Sequence, residues 1–186
     1  PQESEKIIDT AAGSCGFPVH AIFHVWNKIM QDEGLDRSHL FTVERKPARC
    51  EDYVENNVFA IDFDEKVARV GRTLNLIAGD GQTNVLHLNT LDYERWGETT
   101  GEEGWQDTYG PGWRKLRKLR EDRASDGAFK FDVVMANPPF AGDIKESRVL
   151  AKYELGKTAA GKQAKKVGRD ILFIERNLNF LKPGGR

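Results

Sequence analysis

The chain of 186 residues has two cysteines, Cys15 and Cys50, and they form no C-x-x-C pair and no disulfide framework. That scarcity points to a reducing, cytoplasmic setting. No apolar run approaches the ~18 residues needed to span a bilayer, and no signal-peptide pattern opens the chain, so no membrane partner is expected. An excess of positive charge is also missing: 28 Lys and Arg face 29 Asp and Glu, for a formal charge of -1. A polycationic surface is therefore excluded, and any nucleic-acid contact has to come from local patches. There is no G-x-G-x-x-G and no Walker lysine. His87 has no partner at metal-ligand spacing, so no metal site is expected.

What is present reads as one domain over residues 1–186, long enough for a real core. Strand candidates are Lys6-Ile7-Ile8-Asp9, Val58–Asp62, Asn84–Asn89 and Phe131–Ala136. Between them run helical patterns. Val19, Ile22, Phe23, Trp26 and Met30 recur at helical spacing, and Gly34 offers a stop. Asp64 caps a helix expected to turn Val67, Val70, Leu74 and Ile77 inward and to close at Gly79. Asp170 caps another, with Ile171, Ile174, Leu178 and Leu181 inward and Pro183-Gly184 at its end. Strands alternating with helices predict an α/β fold with a mostly parallel sheet.

Two stretches stand apart. Residues 35–56 are polar, with a breaker at Arg45-Lys46-Pro47, and residues 92–128 form a charged excursion holding Trp96, Trp105 and Trp113. Within the latter, Trp113 to Arg120 is either a phosphate contact or, more economically, an amphipathic helix with Leu116 and Leu119 inward. The loop at 141–169 carries Lys145, Arg148, Lys152, Lys157, Lys162, Lys165, Lys166 and Arg169 against Asp143, Glu146 and Glu154. It reads equally as a mobile segment closing over a polyanion or as a disordered surface loop.

The chemistry concentrates at strand ends. After the fourth strand comes Asn137-Pro138-Pro139-Phe140. The prolines fix their own φ and restrict the residue before each, which holds the Asn137 side chain and the Pro138 carbonyl in place. Two such acceptors suit the N–H bonds of a planar amine, and Phe140 offers a stacking face. A Pro-Pro turn closing a strand is the plain alternative. After the first strand, Thr10 to Gly16 are all small, so the backbone can approach a ligand at a helix N-terminus, though an ordinary βα turn has the same look. Asp62 ends the second strand, where a carboxylate commonly holds a ribose diol. Asn89 ends the third, where an amide either reads an adenine edge or forms a turn.

Taken in order, these stretches resemble the N6-adenine DNA methyltransferases. Asp9-Thr10-Ala11-Ala12-Gly13-Ser14-Cys15-Gly16-Phe17 is similar to that family's first motif, written D-P-A-x-G-x-G-x-F. Asp62 matches its ribose-binding acid, and Ala68-Arg69 with Leu74-Asn75-Leu76 resembles its A-x-x-N-L helix. Asn89-Thr90-Leu91 matches the adenine-side motif, Asn137-Pro138-Pro139-Phe140 the catalytic motif, and Phe180 to Arg186 the helix end before a fifth strand. The long interval between the first motif and Asp62 is similar to the modification subunit of type I restriction systems.

The resemblance implies a partial Rossmann-like class I S-adenosylmethionine-dependent methyltransferase fold, cut from a larger protein at both ends. It implies S-adenosylmethionine bound by Asp9, Ala11, Ala12, Gly13, Ser14, Gly16 and Phe17, by Asp62 with Phe63, and by Asn89 and Asn137. Asn137, Pro138, Pro139 and Phe140 are then the catalytic residues. The implied partners are double-stranded DNA and the specificity and restriction subunits of the same system. Thr10 replaces the usual proline and Cys15 a glycine, and the Cys15 side chain is expected to crowd the methionine end of the cofactor. Methylation of RNA guanine or protein glutamine, and a non-catalytic module of the same fold, are the competing readings.

Overall fold

The computed structural model describes residues 1–35, 46–77, 84–120 and 128–186. Its central sheet has four parallel strands, β1 (Ile7–Asp9), β2 (Val58–Asp62), β3 (Asn84–His87) and β4 (Val133–Met135), in the order β3-β2-β1-β4. The helices are α1 (Gly16–Asp32), α2 (Ala48–Asn57), α3 (Glu65–Ile77), the single turn α4 (Trp96–Thr99), α5 (Trp105–Lys118), the single turn α6 (Ser147–Leu150) and α7 (Arg169–Phe180). A two-stranded antiparallel ribbon, β5 (Asp143–Ile144) with β6 (Val167–Gly168), follows β4.

Alternation along the strands sorts the core into two layers. Ile7, Val58 and Val133 face α1 and α2, where Trp26, Ile29, Tyr53 and Val54 are buried against them. The Trp26 indole also donates to the Cys50 carbonyl at 2.8 Å, which fastens α1 to α2. Ile8, Phe59, Ile61 and Leu86 face the other way, onto Trp96, Trp105, Leu116, Phe131 and Phe180. Each such side chain contributes about 1.5–3 kcal/mol by leaving water. The near-continuous apolar run of β2 is what a parallel strand covered on both faces requires.

The described residues of the excursion at 92–128 supply much of that second layer. The α5 helix lies on β3 with Trp105, Tyr109 and Leu116 buried, and Gly112 lets it come close, since a Cβ there would meet Asn84 Cα at 3.2 Å. Within the run Trp113 to Arg120, Leu116 points inward while Arg114, Arg117, Lys118 and Arg120 are exposed, as the amphipathic reading expects. The loop at 141–169 is folded down, with Val149, Leu150 and Tyr153 buried against Leu91, Leu172 and Phe173. Four of its cations are paired: Arg148 with Asp92, Lys152 with Glu94, Lys157 with Glu154 and Lys166 with Asp143.

Two helices are rotated away from their expected orientation. On α3, Val70 and Leu74 are 51% and 41% exposed, and the buried positions are Ala68, Gly71 and Asn75. On α7, Ile174 and Leu178 are 60% and 62% exposed, and Leu172, Phe173, Arg176 and Phe180 face inward. Apolar periodicity misread both because each inward face makes contacts that bulky aliphatics cannot. Asp170 is also not the cap of α7, which begins at Arg169 with Gly168 as N-cap. The helix ends at Phe180 rather than at Pro183, because Leu181 bridges to Phe131 beside β4. Arg186 continues that pairing by hydrogen bonds with Asp132 and Val134. The expected stop at Gly79 and the expected breaker at Arg45 lie outside the described residues.

The α3 face explains Cys15. This residue has φ 66° as N-cap of α1 and is fully buried in a cluster with Ala12, Ala60, Ala68 and Val85. Its side chain points between α1 and α3, so it does not crowd the outer side of the turn. A Cβ on Gly71 would stand 2.6 Å from Cys15 Sγ. Gly71→Ala is therefore expected to destabilise the protein by about 1–3 kcal/mol. Adding Cys15→Gly, which removes the sulfur and relieves a left-handed non-glycine residue, should recover most of the loss in urea titrations.

Among the described residues, no helix is long and apolar enough to cross a membrane. None of the described His, Cys, Asp and Glu residues form a group of three or more placed to hold a metal ion.

Candidate active site

The C-terminal ends of the four strands lie along one edge of the sheet. Asp9 is level with Ala60 on one side and Met135 on the other, and Asp62 is level with His87. Asp62 and Asn137 therefore flank the β1 tip from its two neighbouring strands, which lie about 10 Å apart at ordinary strand spacing. Asn89 follows β3 by two residues.

From β1 the chain makes a tight turn into α1. Asp9 Oδ1 accepts the Ala11 N–H at 3.1 Å, and the Ala12 N–H donates to the Ile61 carbonyl at 3.0 Å. Gly13 adopts φ 54°, and its N–H reaches Asp62 Oδ2 at 2.8 Å. No side chain caps α1. The N–H groups of Gly16 and Phe17 are thus left at the helix start, while Pro18 has none to offer. These two donors and the helix dipole favour an anionic group above the turn. Ser14, Gly16 and Phe17 are exposed on that side.

Asp62 works from both oxygens. Besides Gly13, it accepts the Asp64 N–H at 2.9 Å through Oδ1. Each carboxylate oxygen keeps a second lone-pair site for a hydroxyl group. Asp64 is the helix cap its position predicts, accepting the N–H groups of Lys66 and Val67 at 2.8 and 3.2 Å. Phe63 is 70% exposed beside it. At the β3 tip, Asn89 Oδ1 accepts the N–H groups of Leu91 and Asp92, so its oxygen serves a turn. His87 is structural, with Nε2 3.1 Å from the Phe63 carbonyl.

Asn137 is exposed beyond β4, and the described residues give its amide no hydrogen-bond partner. Pro138 is half-buried, and Phe140 is 82% exposed, with its ring presented to solvent. The strand end thus presents an exposed aromatic ring beside a solvent-facing amide with no protein partner among the described residues.

The electrostatics favour a cation. Asp9 is 2% exposed, and neither it nor Asp62 forms a salt bridge with a described residue. Burial, opposed by the Ala11 hydrogen bond and reinforced by the nearby Asp62 charge, pushes the Asp9 carboxyl from 3.8 up to about 7. The backbone N–H groups at the start of α1 can hold an anionic group, and the remaining lone-pair sites of Asp62 can hold hydroxyl groups.

Residues 56–186 match the family model of the Eco57I restriction-modification methylases. The chain belongs to the Eco57I restriction-modification methylase family. Its fold is similar to that of a modification subunit of a putative type I restriction enzyme from Vibrio vulnificus YJ016. That crystal structure matches with a TM-score of 0.56 and 18% identity, over 96% of this chain and 27% of the other. A second match is the EcoKI M protein of a type I restriction enzyme, with a TM-score of 0.48 and 15% identity, over 100% of this chain and 29% of that one. This chain thus spans less than a third of either structure. No curated protein sequence matches it.

Within this Eco57I-family methylase, the sheet gathers Asp9, the Ala11–Phe17 turn, Asp62, Phe63, Asn89 and the Asn137–Phe140 loop at one edge. Sequence pattern does not mark Arg176 or Asn177, which reach this edge from α7. A charged residue inside an apolar helical repeat ordinarily reads as the solvated side.

Proposed function

We propose that this chain is the catalytic core of a DNA adenine N6-methyltransferase that uses S-adenosylmethionine and works with the specificity and restriction subunits of a type I restriction-modification system. The observation that carries the reading is the exposed Asn137-Pro138-Pro139-Phe140 loop one strand away from a turn fitted to the methyl donor. Membership of the restriction-modification methylases supports DNA as the substrate. The fold shared with the Vibrio vulnificus subunit and the long interval before Asp62 support the type I setting.

S-adenosylmethionine, when bound, supplies an electrophilic methyl group on a cationic sulfur. Asp62 would accept hydroxyl hydrogens of its ribose, and the Gly16 and Phe17 N–H groups would hold its carboxylate. Asn137 Oδ1 and the Pro138 carbonyl accept the two N–H bonds of the target amine. That would draw the amine out of conjugation with the ring and free its lone pair for attack. Phe140 stacks on the base, which has left the duplex at a cost of about a few kcal/mol. Positioning supplies most of the rate, and no protein nucleophile takes part. Lys145, Lys162 and Lys165, on the loop that follows, have no ion pair among the described residues and face a phosphate backbone.

The test supplies the full-length protein with radiolabelled S-adenosylmethionine and unmethylated DNA, RNA or protein. Label is expected on adenine N6 of DNA. Label on RNA or protein alone would sink the DNA reading, and no transfer to any of them would favour the non-catalytic module.

A further inference from the structure

Helix α7 carries no candidate catalytic or cofactor residue, yet side chains tie it to two of the four strand tips. The Thr10 hydroxyl, just past β1, donates to Asn177 Oδ1 at 2.6 Å. The Thr90 hydroxyl, past β3, donates to the Thr10 carbonyl at 2.6 Å. Arg176 Nε donates to the Thr90 carbonyl at 3.0 Å, which returns the chain of contacts to α7. Thr10, Thr90 and Arg176 are 1%, 3% and 0% exposed. The Arg176 guanidinium lies 4.4 Å from the Tyr93 ring centre and 4.5 Å from that of Phe180, so aromatic faces receive the buried charge. The same loop is held twice more: the Tyr153 hydroxyl donates to the Leu91 carbonyl at 2.7 Å, and Arg148 makes a two-pronged pair with Asp92.

We infer that α7 sets the spacing between the Asp9–Phe17 turn and the Asn89-Thr90-Leu91 loop, with Asn177 and Arg176 as positioning residues for the cofactor site. The inference rests on the cofactor reading above. It accounts for two features left over. Proline at position 10 would stiffen the turn through its ring, whereas Thr10 does so through a hydroxyl with a partner on α7. And α7 turns Ile174 and Leu178 outward because the face it needs inward bears Arg176 and Asn177. Neither residue is placed to touch a reacting atom.

The test uses Thr10→Val, Asn177→Leu, the double variant and Thr10→Ser in the full-length protein. Amide exchange is followed at Ala11 and Gly13, with Val25 in α1 as the reporter of global opening, and calorimetry gives the affinity for S-adenosylhomocysteine. Thr10→Val and Asn177→Leu are each expected to speed exchange at Ala11 and Gly13 about tenfold, as one lost hydrogen bond would, with Val25 unchanged. The double variant should match the singles because both remove the same bond, and Thr10→Ser should behave as wild type. Affinity should fall by about the same factor as exchange rises. Additive effects, acceleration that includes Val25, or affinity that stays constant while exchange rises would overturn the role of α7. If the wild-type protein does not bind the probe while the exchange pattern holds, the cofactor reading fails and the tie from α7 to the two tips stands.

Discussion

Asn137→Ala is expected to lower methyl transfer to DNA by about 10²–10³-fold, the loss typical when one preorganised hydrogen-bonding group is removed from a reacting centre. Affinity for S-adenosylhomocysteine should stay within about twofold, a change of under half a kcal/mol. The reason lies in where Asn137 sits. It is exposed beyond β4, and its amide is not used to hold the fold, so truncation costs the protein little stability. The Asp9–Phe17 turn is secured separately, by Asp62 and Asp9 and by the Ile61 carbonyl. Single-turnover rates with a DNA substrate and calorimetry on the same preparation separate the two quantities. Transfer that survives the substitution would remove Asn137 from the amine-steering role. An equal loss of cofactor affinity would assign it to the cofactor instead.

The second large effect concerns Asp9 and is read in stability. Its carboxyl titrates at about 7 in the folded protein and near 3.8 when unfolded. Below pH 4 both states are protonated and the group is neutral to stability. Between pH 4 and 7 the unfolded chain ionises while the folded one keeps its proton, so stability falls as pH rises. Above pH 7 both are ionised and the full penalty is present, on the order of 4 kcal/mol. Asp9→Asn keeps an oxygen for the Ala11 N–H and removes the charge. Urea titrations at pH 4.5 and pH 8 should therefore show the variant more stable than wild type by only about 1 kcal/mol at the lower pH and by several kcal/mol at the higher. A constant difference across that range would mean that Asp9 is already ionised throughout. On the cofactor reading proposed above, S-adenosylmethionine should flatten the wild-type profile and raise the stability of the variant evenly across pH.

Much of this site was legible in the chain itself. The β2 limits agree with its apolar run, and Asp64 caps α3 as its place before a helix predicts. The motif residues reach one sheet edge because each follows a strand, and parallel strands put their C-terminal ends together. The two inverted helices were not legible. Apolar spacing assigns the greasy side of a helix to the core, and that rule fails where close approach or polar ties decide the orientation. In α3 the deciding contact is Cys15 Sγ against Gly71, and in α7 it is Arg176 under Thr90. Both join residues far apart in sequence, so no local pattern signals them. The Thr10–Asn177 bond, across 167 residues, is of the same kind.

Local composition and order therefore determined which groups this protein has for chemistry: a small-residue turn, acids at two strand ends, and an Asn137–Phe140 loop stiffened by two prolines. Those properties follow from the allowed φ of glycine and proline and from the two-residue alternation of strands, which act within a few residues. Tertiary structure alone decided how the groups are held against one another. Asp62 on β2 bonds Gly13 after β1, Asp9 is buried deep enough to keep its proton near neutrality, and α7 ties the β1 and β3 tips together. Burial, charge proximity and long-range hydrogen bonds depend on distances that exist only once the sheet has formed.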